Sequence, residues 1–454
     1  MKKMESRALL CLFMTVVLVA GLIFFTFRLY ANGADWATFY VNEDIYYNGQ
    51  LNVGTIMDKN GEILAKNSNK GVEYNTNPTA RIATVHAVGD CAGNVGTGAQ
   101  YAFRSDLVGY SFLSGTYSMS ETGRELYLTI DSRVCRNAYN AMANFDGTVG
   151  VYNYKTGEIV CEVSKPSYDP ANPPEAGTEE SGIYLNKLLS ATITPGSTFK
   201  LVTTAAALDT YKDYDNWSYY CSGVSYINGE RVKCTQAHGY VDKYSALAKS
   251  CNCAYADLTL KIGADNLEKY IKKTNMTYSY DLNGIRTLAG NFNIPRDNDL
   301  NLAWSGIGQF EDQVNPCAMM VYVGAIANGG KAANPYVIDK LVAEGAFKVK
   351  EGETTYTDQL LDKDTANELK KMMLNNVETN YGTYNYPGLK IGAKSGTAER
   401  GDGYNNTWFV GFLDDEEHPY AFVVCIEKGE WGSTTAGPIA NSVLQSVIAL
   451  DDAN

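Results

Sequence analysis

Residues 194–200 read Thr-Pro-Gly-Ser-Thr-Phe-Lys, and the interpretation of the whole chain starts from this stretch. Pro195-Gly196 is typical of a turn, and the apolar face that follows predicts that Ser197 opens a helix. Residues three apart lie on one face of a helix, so Lys200 Nζ can reach Ser197 Oγ. A serine becomes a strong nucleophile when a base takes its proton, and a lysine serves when burial or nearby positive charge keeps it neutral.

Taken alone, this pattern also fits a helix start that carries a solvated lysine. Ser197 is, however, the only serine with a lysine three positions later, and a second stretch supplies what it lacks. Residues 250–252 read Ser-Cys-Asn at a predicted helix–loop junction. Ser250 offers a hydroxyl that can accept and donate a proton, and Asn252 offers an amide to a substrate backbone.

A third stretch, Lys-Ser-Gly-Thr at residues 394–397, lies in a predicted strand. Lys394 adds positive charge for a substrate carboxylate, and Ser395 and Thr397 add hydroxyl donors. Gly396 has no side chain, so a substrate could approach the strand closely there.

The composition excludes some classes of function. The chain has 454 residues, 45% of them hydrophobic, which is enough for a large domain and a smaller one. Its formal net charge of −13 argues against nucleic-acid binding, which uses clustered lysines and arginines. The same charge argues against a protein that lies flat on an anionic membrane.

The distribution of apolar and charged residues near the N-terminus predicts a membrane anchor. Residues 8–27 are uncharged and apolar, long enough to cross a bilayer and longer than the apolar core of a signal peptide. Lys2, Lys3 and Arg7 precede the span. This distribution predicts a cytoplasmic tail over residues 1–7 and places everything after the span outside the cell membrane.

The cysteines do not form a recognisable scaffold. Cys11 lies in the predicted anchor, and the remaining nine are an odd number. Cys221 and Cys234 bracket a turn-rich segment and are the best candidates for a disulfide, although most of the cysteines also fit small buried apolar positions. The chain has no Cys-x-x-Cys and its three histidines are isolated in sequence, so no metal site is expected. His238 precedes a glycine in a loop and is interpreted as structural.

The element pattern predicts a mixed α/β (α+β) fold, with a central antiparallel sheet covered by helices. Two hairpins are expected, one around Asn60-Gly61 and one with arms over residues 148–152 and 158–164. Helices are predicted over residues 244–262 and 365–376. Three final strands are predicted to be neighbours in one sheet, and a closing helix follows them. These strands are residues 389–398, 407–412 and 420–427.

The three motifs occur in the chain order of the penicillin-binding and serine β-lactamase superfamily, which they resemble: Ser-x-x-Lys, Ser-x-Asn and Lys-(Ser/Thr)-Gly. Lys155-Thr156-Gly157 also fits the third pattern, but it lies at a predicted hairpin tip before the serine. Further stretches are similar to class B penicillin-binding proteins, so the resemblance covers residues 50–454. These stretches are residues 54–65, 128–131, 155–159, 166–170, 306–309, 325–330, 394–399 and 408–411.

The sequence departs from the family pattern in a few places. Cys251 fills the middle of the second motif, and Ser395 replaces the commoner threonine. The region between Asn69 and Glu125 is short for the family, which implies a reduced N-terminal pedestal. The predicted organisation is an anchor (8–27), a linker with a small irregular β-rich module (28–125) and a transpeptidase domain (126–454) with a five-stranded sheet.

The resemblance implies a D,D-transpeptidase of peptidoglycan synthesis that needs no metal or organic cofactor and binds β-lactams covalently. Ser197 would attack the penultimate D-alanine carbonyl of a stem peptide, and Lys200 would accept its proton. Ser250, helped by Lys394, would protonate the departing amine.

The remaining motif groups would bind the substrate. Asn252 would hold the peptide backbone, and Ser395, Gly396 and Thr397 would line the site of the terminal carboxylate. Backbone N–H groups of Ser197 and Thr397 would form the oxyanion hole. A membrane glycan polymerase of the division or elongation machinery is the implied partner.

Three other functions remain open from the residues. A serine β-lactamase of class A would need a Glu-x-x-Leu-Asn stretch, which the chain lacks. A membrane antibiotic sensor would need further spans and a cytoplasmic effector. A catalytically silent wall-synthesis scaffold could keep the fold, although every side chain that the chemistry needs is present.

Overall fold

The computed structural model describes residues 2–39, 45–47, 50–109, 123–175, 177–343 and 347–453. Its α-helices are α1 (Lys2–Ala37), α2 (Pro78–Val88), α3 (Ala99–Ala102), α4 (Arg104–Val108), α5 (Ser132–Ala141), α6 (Lys187–Ser190), α7 (Lys200–Thr210), α8 (Lys243–Ala248), α9 (Asn252–Ile262), α10 (Ala264–Lys273), α11 (Asp299–Ile307), α12 (Pro316–Ala327), α13 (Lys363–Asn376) and α14 (Gly437–Asp451).

The strands that build the two large sheets and the small ribbons follow in chain order. They are β1 (Tyr46–Tyr47), β2 (Gln50–Leu51), β3 (Thr55–Met57), β4 (Ile63–Ser68), β5 (Gly71–Tyr74), β6 (Glu125–Leu128), β7 (Gly147–Asn153), β8 (Ile159–Lys165), β9 (Ser218–Cys221), β10 (Val224–Ile227), β11 (Glu230–Lys233), β12 (Gly239–Asp242), β13 (Asp281–Leu282), β14 (Ile285–Arg286), β15 (Ile338–Ala343), β16 (Phe347–Glu351), β17 (Ile391–Glu399), β18 (Asn405–Leu413) and β19 (Tyr420–Gly429).

A five-stranded antiparallel sheet forms the centre of the fold, in the order β17-β18-β19-β7-β8. Its inner strands are buried on both faces, since every residue from Thr407 to Leu413 is buried. Helix α12, which is apolar on all sides and wholly buried, packs on β18, β19 and β7. The predicted mixed fold with a central five-stranded antiparallel sheet is confirmed.

The second sheet has six strands, in the order β16-β15-β6-β3-β4-β5. β3 and β6 pair in parallel, and the other neighbours are antiparallel. This sheet therefore combines strands β3 to β5, which precede residue 125, with β6, which begins at that residue, and with the later strands β15 and β16. The division into a module before residue 125 and a domain after it stays a prediction, and part of that module lies outside the described residues.

The N-terminal helix α1 contains one stretch long and apolar enough to cross a membrane, and its side chains there are exposed. This feature indicates a single-pass anchor. The helix continues to Ala37, beyond the predicted end of the span at residue 27. The segment expected to be a linker thus begins as helix.

Most predicted elements are present with small shifts at their ends. β3 and β4 form the hairpin around Asn60-Gly61, and β7 and β8 form the hairpin whose turn contains Lys155-Thr156-Gly157. One expectation was wrong, because the continuous helix predicted over residues 244–262 is two helices, α8 and α9, which are separated at the junction predicted for residues 250–252. The turn-rich segment that Cys221 and Cys234 bracket contains the strands β10 and β11.

Candidate active site

Ser197 lies in a 3₁₀ turn, Gly196–Thr198, and not in the helix itself, which begins at Lys200. The side chain of Ser197 is half-buried, whereas Lys200 is fully buried at the start of α7. Lys200 Nζ lies 3.0 Å from Ser197 Oγ, as the three-residue spacing predicts. The nucleophile candidate thus has an amine within hydrogen-bond distance.

The amine of Lys200 also contacts the junction between α8 and α9. Its Nζ donates to Ser250 O at 2.8 Å and Asn252 Oδ1 at 2.8 Å, and it lies 3.2 Å from Ser250 Oγ. Ser250 lies in the short turn between α8 and α9 and has a φ of +52°, a conformation that residues other than glycine rarely adopt. This strained position directs Ser250 and Asn252 toward Lys200.

Strand β17 supplies the second amine. Lys394 is fully buried, and its Nζ lies 3.0 Å from Ser250 Oγ and donates to Ser395 O at 2.7 Å. The Ser250 hydroxyl therefore lies between two lysine amines. The structure brings together Ser197, Lys200, Ser250, Asn252 and Lys394, which the sequence placed in three separate motifs.

Burial changes the proton affinity of both amines. Desolvation lowers the pKa of Lys200 from 10.5 to about 8, and the neighbouring thiols of Cys251, Cys234 and Cys253 oppose this effect. Desolvation, and then the charge of Lys200, lowers the pKa of Lys394 well below its ordinary value. A lysine with a lowered pKa can act as a base near neutral pH.

Glycines let the serine turn and β17 approach each other closely. A Cβ on Gly396 would lie 2.8 Å from Pro195 O and 2.9 Å from Thr198 Cγ2. A Cβ on Gly196, whose φ is +53°, would lie 2.8 Å from Thr397 O. The space at Gly396 that the sequence analysis assigned to substrate is thus occupied partly by the serine turn, and a substrate contact there stays a prediction.

The two other motif residues on β17 have partners within the protein. Ser395 Oγ lies 3.0 Å from the hydroxyl of Tyr381, which also accepts the Ser395 N–H at 2.9 Å. Thr397 Oγ1 accepts the Gly432 N–H at 3.3 Å. Both side chains are half-buried beside the serine turn. Their predicted binding of a carboxylate is not tested by these contacts.

Two residues outside the predicted site support its backbone. Gln309 Nε2 donates to Thr397 O at 2.9 Å, and Trp408 Nε1 donates to Thr194 O at 3.0 Å. Both belong to stretches that the family resemblance had marked, but without a role. Tyr381, by contrast, follows α13 in a π-helical turn and carries no sequence signal.

Three cysteines and one histidine form a second group of side chains, which includes Cys251, the residue that follows Ser250. Cys221 Sγ, Cys234 Sγ, a ring nitrogen of His238 and Cys251 Sγ all lie within 4.8 Å of one another. We name these four residues the cysteine–histidine cluster. The thiols of Cys221 and Cys234, expected to form a disulfide, are free and 3.7 Å apart. Folding brings His238, which is isolated from the other histidines in the sequence, next to three cysteines. The expected absence of a metal site stays a prediction.

The sequence matches one protein family over residues 147–445, described as Penicillin binding protein transpeptidase domain. Stage V sporulation protein D of Bacillus subtilis is 28% identical over 358 residues, and Peptidoglycan D,D-transpeptidase PbpA of Mycobacterium tuberculosis is 25% identical over 359. Each alignment covers 72% of this chain. The chain spans about half of the Bacillus relative, 54%, and 73% of the mycobacterial one.

Two solved structures have the same fold. Penicillin-binding protein A from M. tuberculosis, as its penicillin G acyl-enzyme complex, has a TM-score of 0.75 at 23% identity and covers 87% of this chain and 99% of its own. The D,D-transpeptidase domain of a peptidoglycan glycosyltransferase from Eggerthella lenta has a TM-score of 0.75 at 24% identity, with 88% and 98% covered.

The serine–lysine arrangement is of the kind that serine enzymes with covalent acyl intermediates use. The family match covers well over half of the chain and includes all three motifs. This chain belongs to the penicillin-binding protein transpeptidase family.

We predict that Tyr381→Phe lowers the rate of acylation by a fluorescent penicillin. The substitution removes the hydroxyl that accepts the Ser395 N–H and contacts Ser395 Oγ. The Ser395 N–H would then lose its acceptor, and leaving a polar group unpaired costs ~1–3 kcal/mol. This cost corresponds to roughly a 5- to 150-fold slower reaction if it falls on the transition state. The measurement is the labelling rate of the full chain in detergent.

The matched control is Tyr384→Phe, three positions further along, where the side chain is 83% exposed. We expect this variant to label at the wild-type rate. Equal rates for both variants, with unchanged melting temperatures, would contradict a positioning role of Tyr381.

Proposed function

We propose that this chain is a membrane-anchored peptidoglycan D,D-transpeptidase that cross-links stem peptides through an acyl-enzyme on Ser197. The observation that carries the proposal is the position of Lys200 Nζ, 3.0 Å from Ser197 Oγ, with the Ser250 hydroxyl between the amines of Lys200 and Lys394. Family membership and the name of the mycobacterial relative support the same reaction.

In the first step, the neutral amine of Lys200 takes the proton of Ser197 as Oγ attacks the penultimate D-alanine carbonyl. Backbone N–H groups of Ser197 and Thr397 bind the oxyanion. The peptide C–N bond then breaks, and Ser250 gives its proton to the departing D-alanine amine. The Lys200 ammonium, assisted by the neighbouring amine of Lys394, returns a proton to Ser250, which leaves neutral Lys200 and an ester on Ser197.

In the second step, an amine of a neighbouring strand attacks this ester. Ser250 passes one proton of the attacking amine to neutral Lys200, the new amide forms, and Ser197 Oγ leaves with that proton from Lys200. The first step thus gives one proton to the departing amine and the second step regains one from the acceptor amine, so the serine–lysine group returns to its starting state. Asn252 holds the peptide backbone, while Ser395 and Thr397 hold the terminal carboxylate of the substrate.

A β-lactam would undergo the first step, acylation of Ser197, but not the second. Its amide is attacked by Ser197 in the same way, but the leaving group stays tethered and no amine acceptor replaces it. Penicillin-binding protein A from M. tuberculosis has been solved as such acyl-enzyme complexes, one of them with penicillin G. This chain is expected to be a β-lactam target by the same chemistry.

We expect the full chain to form a stable fluorescent-penicillin adduct that Ser197→Ala abolishes. The variant removes only Oγ, so its fold is retained and its melting temperature should match the wild type. The measurement is in-gel fluorescence, followed over time after removal of free label. The matched control is Ser167→Ala, a serine on another loop, which should label normally.

The other functions that the sequence left open give different results. Rapid loss of label would indicate a β-lactamase. No adduct on folded wild-type protein would indicate a silent scaffold, and a persistent adduct on Ser197→Ala would place the nucleophile elsewhere.

The acylation rate should rise with pH between 6 and 8. Lys200 has a pKa of about 8, so its neutral, reactive form increases roughly tenfold per pH unit below that value and levels off above it. The other titratable groups that face this site are the amine of Lys394 and the thiols of Cys251, Cys234 and Cys253. The measurement is the labelling rate from pH 6 to 9, with melting temperatures recorded at each pH; a flat profile would exclude Lys200 as the base.

The partner and the topology extend this proposal. The N-terminal tail is cytoplasmic, the apolar part of α1 spans the cell membrane and the sheets lie outside. The chain works with a separate membrane glycan polymerase of the division or elongation machinery, which contacts the span and the adjoining module. The length and apolar surface of α1 support this arrangement.

We predict that an unrelated apolar helix in place of residues 8–27 impairs wall synthesis but preserves penicillin labelling. The exchange keeps the anchor and removes the side chains that a polymerase would contact. The readouts are growth and cell shape of a strain that depends on this chain, compared with labelling in its membranes. Normal growth with the exchanged helix would contradict a contact through the span.

A further inference from the structure

The cysteine–histidine cluster has the composition of a soft-metal site. It offers three thiols and one imidazole, which are the ligands that zinc prefers. Cys221 and Cys251 are buried, while Cys234 and His238 are half-buried. The donors come from the end of β9, from the segment between β11 and β12, and from the residue that precedes α9.

The distances between donor atoms fit one bound ion. Cys221 Sγ lies 3.7 Å from Cys234 Sγ and 3.6 Å from His238 Nδ1, and Cys234 Sγ lies 3.6 Å from Cys251 Sγ. Tetrahedral zinc with bonds of about 2.3 Å to sulfur and about 2.0 Å to nitrogen places its ligand atoms roughly 3.5–3.8 Å apart. Three of the six spacings match such a shell, and all six lie within 4.8 Å, so small side-chain movements would close the donors around one ion.

Backbone pairing sets these positions before any ion binds. Cys221 is opposite Gly239 in the β9–β12 pair, next to His238, and the Cys234 N–H donates to Gly223 O at 3.0 Å. The Cys251 N–H donates to Ala246 O at 2.9 Å. Two antiparallel ribbons and a helix start therefore present the four donors to one point.

Disulfide chemistry does not account for the arrangement. Cys234 Sγ lies within 3.7 Å of the sulfurs of Cys221 and Cys251, and 3.5 Å from that of Cys253. A sulfur can bond to only one of these neighbours, which would leave other thiols unpaired beside the disulfide. A single ion satisfies the thiols of the cluster together.

We propose that the cysteine–histidine cluster binds one zinc ion as a Cys3His site. The role of the ion is structural, since four protein ligands close its coordination shell. Binding releases the protons of the thiols, because thiolates are the ligands. Cys253 is outside the set, since its thiol donates to Val232 O at 3.5 Å.

The ion would position the second motif of the active site. Cys251 lies between Ser250 and Asn252, so a bond to its sulfur fixes the backbone where Ser250 has its positive φ. On the other side, Asn252 Nδ2 donates to Lys233 O at 2.9 Å, and Lys233 precedes the ligand Cys234. One metal thus holds both segments that orient the two polar side chains beside Lys200.

The first test is the metal content of the full chain, purified in detergent without chelators and measured by plasma mass spectrometry. We expect one zinc per chain, released when a mercurial reagent titrates the thiols and detected with a chromogenic chelator. Replacement by cobalt(II) should give the visible bands and thiolate charge-transfer absorption of a tetrahedral site. These readouts need no variant and no activity.

Variants then locate the donors. Cys221→Ser and His238→Ala should lose at least nine-tenths of the zinc and melt at a lower temperature. Cys253→Ala, the matched control, should keep the zinc although its sulfur lies 3.5 Å from Cys234. Penicillin should label the metal-free variants at least fivefold more slowly than the wild type. Added zinc should not restore the labelling rate of any of these variants, because each lacks a ligand.

The outcomes separate clearly. Wild-type protein without stoichiometric metal, or with a disulfide between Cys221 and Cys234 in non-reducing peptide mapping, would overturn the proposal. So would zinc that persists in Cys221→Ser, or that is lost from Cys253→Ala alone. The metal content does not depend on transpeptidation, so this proposal and the proposed function can fail separately.

Discussion

The arrangement of the active site depends on the hydrogen bonds that the buried amine of Lys200 makes. This amine joins the serine turn to the α8–α9 junction through contacts to Ser197, Ser250 and Asn252. Burying an unpaired ammonium costs several kcal/mol, so each of these acceptors has to be in place when the amine is charged. The surrounding elements are therefore constrained to positions that serve both the charged and the neutral amine.

The backbone meets this constraint by close approach. The Gly196 N–H donates to Gly308 O at 2.9 Å, and a Cβ on Gly308 would lie 2.3 Å from Gly196 O. Gly396 on β17 lies against the other side of the same turn. Three segments that are far apart in sequence thus touch through their main chains, and a larger side chain at any of these glycines would separate the nucleophile from the strand.

The sequence predicted the sheet, and its three motifs contain the five side chains that the fold brings together, because strand alternation and short motifs are local signals. It also predicted a helix–loop junction at residues 250–252, but not the positive φ of Ser250, since nothing in a Lys-Ser-Cys stretch signals it. Tyr381 was missed because its contact to β17 is purely tertiary. The proximity of His238 to three cysteines was missed for a related reason: Cys221 and Cys251 are far from it in sequence, and Cys234 lies at a spacing that no short metal motif contains.

The six-stranded sheet has a consequence for dissecting the protein. β6 lies between β15 and β3, so it joins the strands that precede the family match to a hairpin, β15–β16, inside that match. A fragment that began at the family boundary would lack β3 to β6 and leave β15 with an open row of unpaired N–H and C=O groups. Such edges pair with other chains, so the excised fragment would tend to associate with copies of itself.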